Sequence, residues 1–272
     1  MNFTERLRHV IKEQNSLLCI GLDPDMSRLP KIFSSKKDPL YSFCQEIIEA
    51  TEHFAAAYKL NFAFFEAEGL DGWRSLEKLA AEMPDNVISI ADAKRADIGN
   101  SSQKYAEAIL QNLDFDCVTV NPYMGRDSVA PFLQWSEKGV FALCVTSNPG
   151  SKDFQRLPLE NGEPLYEKII DNFHEWNENK NLGLVVGATH TEELASVRKF
   201  AQELPFLIPG VGAQGGSLQG AVQNSVDAVG GFSLINASRS IIYKSSGSDF
   251  AQAAGEEARA LHQQMIQIRG KL

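Results

Sequence analysis

A cluster of ionisable side chains follows the third apolar run of the sequence, in VISIADAKRADIGNSS (87–102). Residues two apart in an extended strand face the same way, so Asp92 and Lys94 are predicted to point together into one site. Asp97 follows three residues later, where the next helix is expected to start. Acidic and basic groups this close together are costly to bury unless they neutralise one another. The segment therefore predicts a charge-paired array, and the alternative is a surface turn rich in charges.

A second candidate site lies in IPGVGAQGG (208–216), which has four glycines in nine residues. Glycines leave backbone N–H groups approachable by an anion and permit unusual dihedral angles. Arg239 follows in NASR (236–239), and its guanidinium suits bidentate contact with a phosphate. A glycine-rich stretch alone would not specify a ligand, but together with Arg239 it predicts a phosphate site.

A third candidate is TSNPG (146–150), directly after the fifth apolar run. Ser147 and Asn148 can both donate and accept hydrogen bonds, as recognition of a flat, amide-bearing ring requires. A plain Asn-Pro turn explains the same residues equally well, and the segment alone leaves both interpretations open.

The histidines and cysteines are not spaced as ligands of a metal. His190 stands alone in GATH (187–190), and the other histidines fall in helical stretches without a ligand partner at useful spacing. Three of the four cysteines lie in apolar runs and none forms a C-x-x-C pair, which predicts buried free thiols and fits a reducing cytoplasm. No dinucleotide fingerprint or pyridoxal-type lysine context is evident. We therefore expect neither a metal nor a cofactor.

Eight short apolar runs, each the length of a buried strand, recur along the chain. They occupy residues 17–22, 56–60, 87–91, 117–120, 140–145, 182–186, 206–211 and 232–235. Their near-continuous hydrophobicity is what a parallel sheet covered on both faces requires. Segments of helical periodicity separate them, so the pattern predicts an α/β fold, a single (β/α)8 TIM barrel with an N-terminal helix. A doubly wound sheet remains the alternative, because periodicity does not show closure.

The overall composition restricts the partners of the protein. The 272 residues carry a formal net charge of −9 and a pI of about 5.1. An acidic surface opposes general attraction to nucleic acid or anionic membranes, so an anionic ligand must be drawn by a local site. No segment approaches the roughly 18–20 apolar residues of a membrane span. No Pro- or Ser-rich linker divides the chain, so residues 1–272 are expected to form one domain.

In barrels of this kind the active site lies at the C-terminal ends of the strands. Polar residues follow most of the predicted strands, namely Asp23, Lys59, Asp92, Lys94, Asn121, Ser147, Asn148 and Arg239. Phosphate sites commonly lie after strands seven and eight, where the glycine-rich stretch and Arg239 fall. The three candidate segments are therefore predicted to meet at one end of the barrel.

With these segments in view, the chain resembles the orotidine 5'-phosphate decarboxylases. The D-x-K-x-x-D-I pattern of residues 92–98 is similar to the signature of that family. The resemblance extends over nearly the whole chain, through GLDPD (21–25), YKLN (58–61), TSNPG, PGVGAQGG (209–216) and a final arginine. The length and the NPY (121–123), TSNPG and GATH segments resemble the longer bacterial branch.

The resemblance implies conversion of orotidine 5'-monophosphate to UMP and carbon dioxide in de novo pyrimidine biosynthesis, with no cofactor. Lys94 would protonate the ring carbon as carbon dioxide departs, and Asp92 would lie near the substrate carboxylate and hold Lys94 in place. Asp23 and Lys59 would hydrogen-bond the ribose, and Lys59 would join the charged network. A cytoplasmic enzyme is expected.

The remaining contacts are also implied by the resemblance. Ser147 and Asn148 match the segment that reads the pyrimidine edge. The phosphate grip matches four residues, Pro209, Gly210, Gln214 and Arg239. A homodimer is implied as well, with two residues supplied across the interface, Asp97 and Ser101. The family often has threonine where Ser101 stands, and serine keeps the hydroxyl, so that contact is expected to survive.

Two other functions share parts of this pattern. The first is a metal-dependent sugar-phosphate barrel resembling 3-keto-gulonate-phosphate decarboxylase, which TSNPG and PGVGAQGG disfavour. The second is a non-catalytic barrel that binds phosphate for sensing or assembly. The lysine–aspartate array disfavours it, since a binding protein has no need of a buried acid.

Overall fold

The structure, a computed structural model, describes residues 1–211 and 216–272. Within these residues, parallel strands follow one another in chain order and the last pairs with the first, so that the barrel is closed. They are β1 (Leu18–Leu22), β2 (Ala57–Asn61), β3 (Ile88–Arg95), β4 (Cys117–Val120), β5 (Gly139–Val145), β6 (Leu182–Val186), β7 (Phe206–Ile208) and β8 (Ser233–Ala237). The closure confirms the predicted (β/α)8 barrel and excludes the doubly wound sheet.

Helices alternate with the strands and cover the outside of the barrel. The described residues form α1 (Phe3–Glu13), α2 (Pro39–Thr51), α3 (Phe62–Glu66), α4 (Gly69–Ala81), α5 (Gly99–Ala106), α6 (Arg126–Val129), α7 (Leu165–Trp176), α8 (Thr191–Phe200), α9 (Leu218–Ser225), α10 (Arg239–Ile242) and α11 (Phe250–Arg269). None of these helices combines the length and the apolar character needed to cross a membrane.

Helix α1 packs against the N-terminal end of the barrel, as its amphipathic sequence predicts. Asn2 caps it with a reciprocal hydrogen-bonded box to Glu5. Its buried face includes Phe3, whose ring meets Phe141 edge-on with centroids 6.0 Å apart. Phe3 also lies over Gly139, where a Cβ would come within 2.4 Å of the ring. The first helix is therefore fitted to the start of β5.

Three strands differ from the sequence prediction by two or more residues at one end. Strand β7 stops at Ile208 rather than residue 211, because Pro209 has no N–H for the ladder. Strand β8 runs on to Ala237, since Asn236 and Ala237 still pair with β1. Strand β3 continues past residue 91 to Arg95 through a register shift against β4. All three differences fall at the C-terminal end of the barrel.

Arg198, a buried residue of α8, links several elements outside the barrel. Its guanidinium lies over the Phe206 ring at 3.4 Å and is 8% exposed. It donates hydrogen bonds to four backbone carbonyls and one hydroxyl, those of Ala201, Leu204, Ser225, Phe232 and Ser233. These acceptors belong to the segments around α8, α9, β7 and β8. Arg198 thus links these segments through one buried guanidinium, in addition to backbone hydrogen bonds such as that from Phe206 N–H to the Phe232 carbonyl.

Candidate active site

A cavity of about 330 Å³ opens at the C-terminal ends of the strands. Charged and polar side chains line it from β1 to β4 and from β8, among them Asp23, Lys59, Asp92, Thr119 and Asn236. Strands β5, β6 and β7 contribute Leu143, Val185 and Leu207 instead. The cavity therefore has one charged side and one apolar side, a division that suits a ligand with a polar and a less polar face.

Asp92 lies between two ammonium groups. Its Oδ2 accepts a hydrogen bond from Lys59 Nζ at 2.7 Å, and its Oδ1 accepts one from Lys94 Nζ at 2.5 Å. The Asp92 and Lys59 side chains are 8% and 6% exposed, whereas that of Lys94 is 50% exposed. The structure thus joins the predicted charged residues, with the buried pair beneath and Lys94 at the opening.

Charge pairing outweighs burial in this array. Burial alone would raise the pKa of the Asp92 carboxyl, but the ammonium groups of Lys59 and Lys94 hold that pKa below its ordinary value. Burial would likewise lower the pKa of Lys59, and the carboxylates of Asp92 and Asp23 raise it instead. Both members of the buried pair are therefore held in their charged forms, which a preorganised electrostatic site requires.

The backbone at Lys94 has an uncommon conformation. Its φ is +46°, in the left-handed region that residues other than glycine rarely adopt. The turn lies inside the register shift of β3, where Ala91 pairs with Val118 and Arg95 with Val120. Such outliers are concentrated at functional sites. The lysine side chain is therefore aimed by a local distortion of the strand and not by its regular alternation.

Asp23 is held at the end of β1 by residues that follow β8. Its Oδ2 accepts a hydrogen bond from Ser238 Oγ at 2.7 Å, and Tyr243 Oη donates to its backbone carbonyl at 3.2 Å. Its Oδ1 is buried, has no hydrogen-bond partner within the described part of the chain, and lies 3.8 Å from Lys59 Nζ. This oxygen is available to a hydroxyl of a bound ligand.

The loop after β5 presents Ser147 to the cavity. Gln155 Oε1 accepts a hydrogen bond from the Thr146 N–H at 2.7 Å. Arg156 donates through Nη2 to the Thr146 carbonyl at 3.5 Å and forms a bidentate pair with Glu193 of α8 at 2.7 and 2.8 Å. Ser147 Oγ is buried and has no hydrogen-bond partner among residues 1–211 and 216–272. Asn148 also lines the cavity, so this segment is more than an Asn-Pro turn.

The predicted phosphate corner is partly within the described residues. Pro209, Gly210 and Arg239 all line the cavity, and Arg239 is the exposed first residue of α10. Gly210 has a φ of +101°, which explains the need for glycine there. Gln214 lies outside the described residues. The corner thus brings an arginine and a glycine turn to the same cavity as the charged array.

Asp97 and Ser101 do not line the cavity of their own chain. Asp97 Oδ1 accepts a hydrogen bond from the Ile98 N–H at 2.8 Å, just before α5 begins. Ser101 is exposed in the first turn of α5. Neither residue has a role in the site that one chain forms.

Sequence reasoning assigned no role to several polar residues of the site, among them Thr119, Asn236 and Ser238. Thr119 lies within the apolar run 117–120 and Asn236 directly follows the run 232–235, and they are 1% and 7% exposed. The signal that could have found them is a polar residue near the C-terminal end of a predicted strand. Ser238 directly precedes Arg239, and in the structure it holds Asp23.

The comparisons with known proteins agree with this geometry. Residues 16–254 match the model of the "Orotidine 5'-phosphate decarboxylase / HUMPS family". Proteins named orotidine 5'-phosphate decarboxylase are 49% identical in Dehalococcoides mccartyi, over 96% of each chain, and 48% identical in Christiangramia forsetii, over 100% of each. The structure of Leishmania donovani OMP decarboxylase matches with 38% identity and a TM-score of 0.82, covering 97% of this chain and 100% of that one.

Proposed function

The chain belongs to the orotidine 5'-phosphate decarboxylase / HUMPS family, and we propose that its cavity converts orotidine 5'-monophosphate to UMP and carbon dioxide. The enzyme is a carboxy-lyase of pyrimidine biosynthesis. The observation that carries the proposal is the Lys59–Asp92–Lys94 array, whose buried Lys59–Asp92 pair is held ionised, in the same cavity as Arg239.

The chemistry explains why such an array is needed. When the bond from the ring to the carboxylate breaks, its electron pair stays on a ring carbon that has no adjacent carbonyl to accept it. Preorganised positive charge near that carbon lowers the barrier without reorganisation at the moment of reaction. We assign this role to Lys94, whose ammonium then donates a proton to the carbon while carbon dioxide leaves as a neutral molecule.

Asp92 and Lys59 support Lys94 in different ways. Asp92 accepts hydrogen bonds from both ammonium groups and fixes the position of Lys94 Nζ. We also place Asp92 close to the substrate carboxylate, as the family resemblance implies. Lys59 neutralises Asp92 from below, and with Asp23 it faces the region assigned to the ribose hydroxyls.

The remaining lining is assigned to recognition. Ser147 and Asn148 would read the polar edge of the pyrimidine, because both side chains reach the cavity and Ser147 Oγ is buried there without a described partner. The phosphate would lie at the corner formed by Pro209, Gly210, Gln214 and Arg239. Its binding energy would help to order the site around the ring.

We also propose a homodimer. The family resemblance implies that Asp97 and Ser101 enter the partner's site, and both residues lie outside the cavity of their own chain. Residues 1–272 would act as one barrel domain in the cytoplasm, where the four buried free cysteines would stay reduced. No cofactor enters the proposed mechanism.

The test is to mix the purified protein with orotidine 5'-monophosphate in the presence of EDTA and follow the loss of its ultraviolet absorbance. We expect conversion to UMP, and much slower conversion of orotidine, which lacks the phosphate. Conversion that requires an added divalent metal, or no conversion by a folded protein, would favour the metal-dependent sugar-phosphate relatives instead.

A further inference from the structure

The side chain of Thr119 takes the place of a missing backbone partner between β3 and β4. Ala91 pairs with Val118 and Arg95 with Val120, so three residues of β3 stand opposite Thr119 alone. Within this bulge the Lys94 N–H donates to Thr119 Oγ1 at 3.0 Å. A side-chain hydroxyl therefore satisfies a backbone group that the regular ladder would leave without an acceptor.

The same hydroxyl reaches the charged array. Thr119 Oγ1 donates to Asp92 Oδ1 at 3.1 Å, and this is the oxygen that accepts the Lys94 ammonium. Thr119 is 1% exposed, so water does not replace either bond readily. One hydroxyl thus contacts both the backbone of Lys94 and the carboxylate that holds its side chain.

We propose that Thr119 is a positioning residue, which sets the direction of the Lys94 ammonium for the decarboxylation proposed above. The inference rests on that proposed function. Its physical basis is the left-handed Lys94 conformation, which is unfavourable for a lysine and needs contacts that hold it. Without the hydroxyl, the Lys94 N–H loses its acceptor and Asp92 Oδ1 loses a donor, so the lysine is free to leave the productive direction.

The experiment compares Thr119→Val, which keeps the shape and removes the hydroxyl, with Thr119→Ser, which keeps the hydroxyl. We expect Val to lower kcat by about 10- to 100-fold, the size of effect given by a lost hydrogen bond to a charged group. UMP binding should change by less than about 3-fold, because the phosphate and ribose contacts remain. Ser should retain kcat within about 3-fold of the wild type.

Thr51→Val is the matched control, since Thr51 is equally buried in α2 and its hydroxyl also makes two contacts, with the Ile47 carbonyl and Tyr58 Oη. It should lower thermal stability and leave kcat unchanged. If Thr119→Val does not fold, Thr119→Ala replaces it, with the same expected loss of kcat.

Wild-type kcat in the variants that lack the hydroxyl would overturn the role of Thr119. Equal losses in Val and Ser would overturn it too, because the hydroxyl would then not be the cause. Absence of decarboxylation by the wild-type protein would overturn the proposed function itself, and the role of Thr119 with it. The two failures are therefore distinguishable within one set of assays.

Discussion

Asp92 receives three donors, Lys59 on one carboxylate oxygen and Lys94 and Thr119 on the other. The two ammonium groups keep it ionised despite its burial, and it keeps Lys59 ionised in return. The ordinary pKa values are 3.8 for the carboxyl and 10.5 for the ammonium, so the pair stays charged from about pH 4 to pH 10. The charges of Asp92 and Lys59 therefore do not change with pH in the physiological range.

This ionisation predicts a pH dependence of stability. The pKa of Asp92 is lowered in the folded state, so its contribution is present above 3.8 and is lost as the pH falls towards the folded pKa. Asp92→Asn lacks this titration. Between about pH 6 and pH 3, the wild type should lose unfolding free energy relative to the variant, measured by urea denaturation at one protein concentration. If the unfolding free energy of the wild type relative to Asp92→Asn stays constant or rises as the pH falls, Asp92 is not stabilised as a carboxylate.

At the residue scale, the sequence predicted that Asp92 and Lys94 share a site, but it did not predict the bulge in β3 that orients Lys94. Asp92 and Lys94 lie together, as the two-residue alternation predicted, but a bulge and not that alternation directs Lys94. Nothing in DAKRAD indicates a left-handed lysine, because the bulge depends on the register with β4. Thr119 was overlooked for a related reason, since a β-branched threonine is ordinary in a strand.

At the scale of elements, the site depends on segments that are tied together away from it. Arg156 and Glu193 anchor the loop after β5 to α8. Arg198, also on α8, donates to carbonyls around α9, β7 and β8. Strands β5 and β7, which precede Ser147 and Pro209, are thus fixed relative to each other partly through side chains of one helix.

Arg198→Met should therefore destabilise the fold. Methionine fills much of the space but makes none of these hydrogen bonds, and the loss of a charged donor to four buried carbonyls is expected to cost about 2–4 kcal/mol in unfolding free energy. Urea denaturation at a fixed protein concentration measures this unfolding free energy. The control is Arg259→Met, because Arg259 is an exposed residue of α11. Arg198→Lys should recover only part of the loss, because an ammonium has fewer donors. Equal stability of Arg198→Met and the control would contradict this structural role.

The elements themselves were largely predictable, and their ends were not. Continuous apolar runs identified every strand, and β4 and β6 have the predicted bounds. Helix α5 is followed directly by a wider π-helical turn at Glu107–Asn112. Periodicity does not distinguish these geometries, since both keep an apolar face against the barrel.

At the scale of the molecule, the closed barrel brings residues from the ends of all eight strands and their loops to one cavity. Periodicity did not show that the sheet closes. Only a closed sheet brings the ends of strands that are distant in sequence into one cavity. The proposed dimer would complete the site, because Asp97 lies outside the cavity of its own chain.

A shared site predicts complementation between inactive variants. In a hybrid of Lys94→Ala and Asp97→Ala chains, one site lacks both residues and the other is complete. A freely exchanging 1:1 mixture contains about half hybrids, so about a quarter of wild-type activity should return. The decarboxylase assay measures it. Mixing Lys94→Ala with Asp92→Asn is the control and should restore nothing, because both residues belong to one chain's cavity. No recovery in the first mixture would contradict the shared site.

The central claim, that Lys94 supplies the charge and the proton, is tested most directly by Lys94→Ala. Turnover of orotidine 5'-monophosphate and the dissociation constant for UMP would be measured for the wild type, for this variant and for Lys168→Ala, an exposed position of α7. We predict that Lys94→Ala lowers turnover by about 10⁴-fold or more while UMP binding changes by less than about 10-fold, and that Lys168→Ala behaves as the wild type. Near-normal turnover by Lys94→Ala would contradict the account.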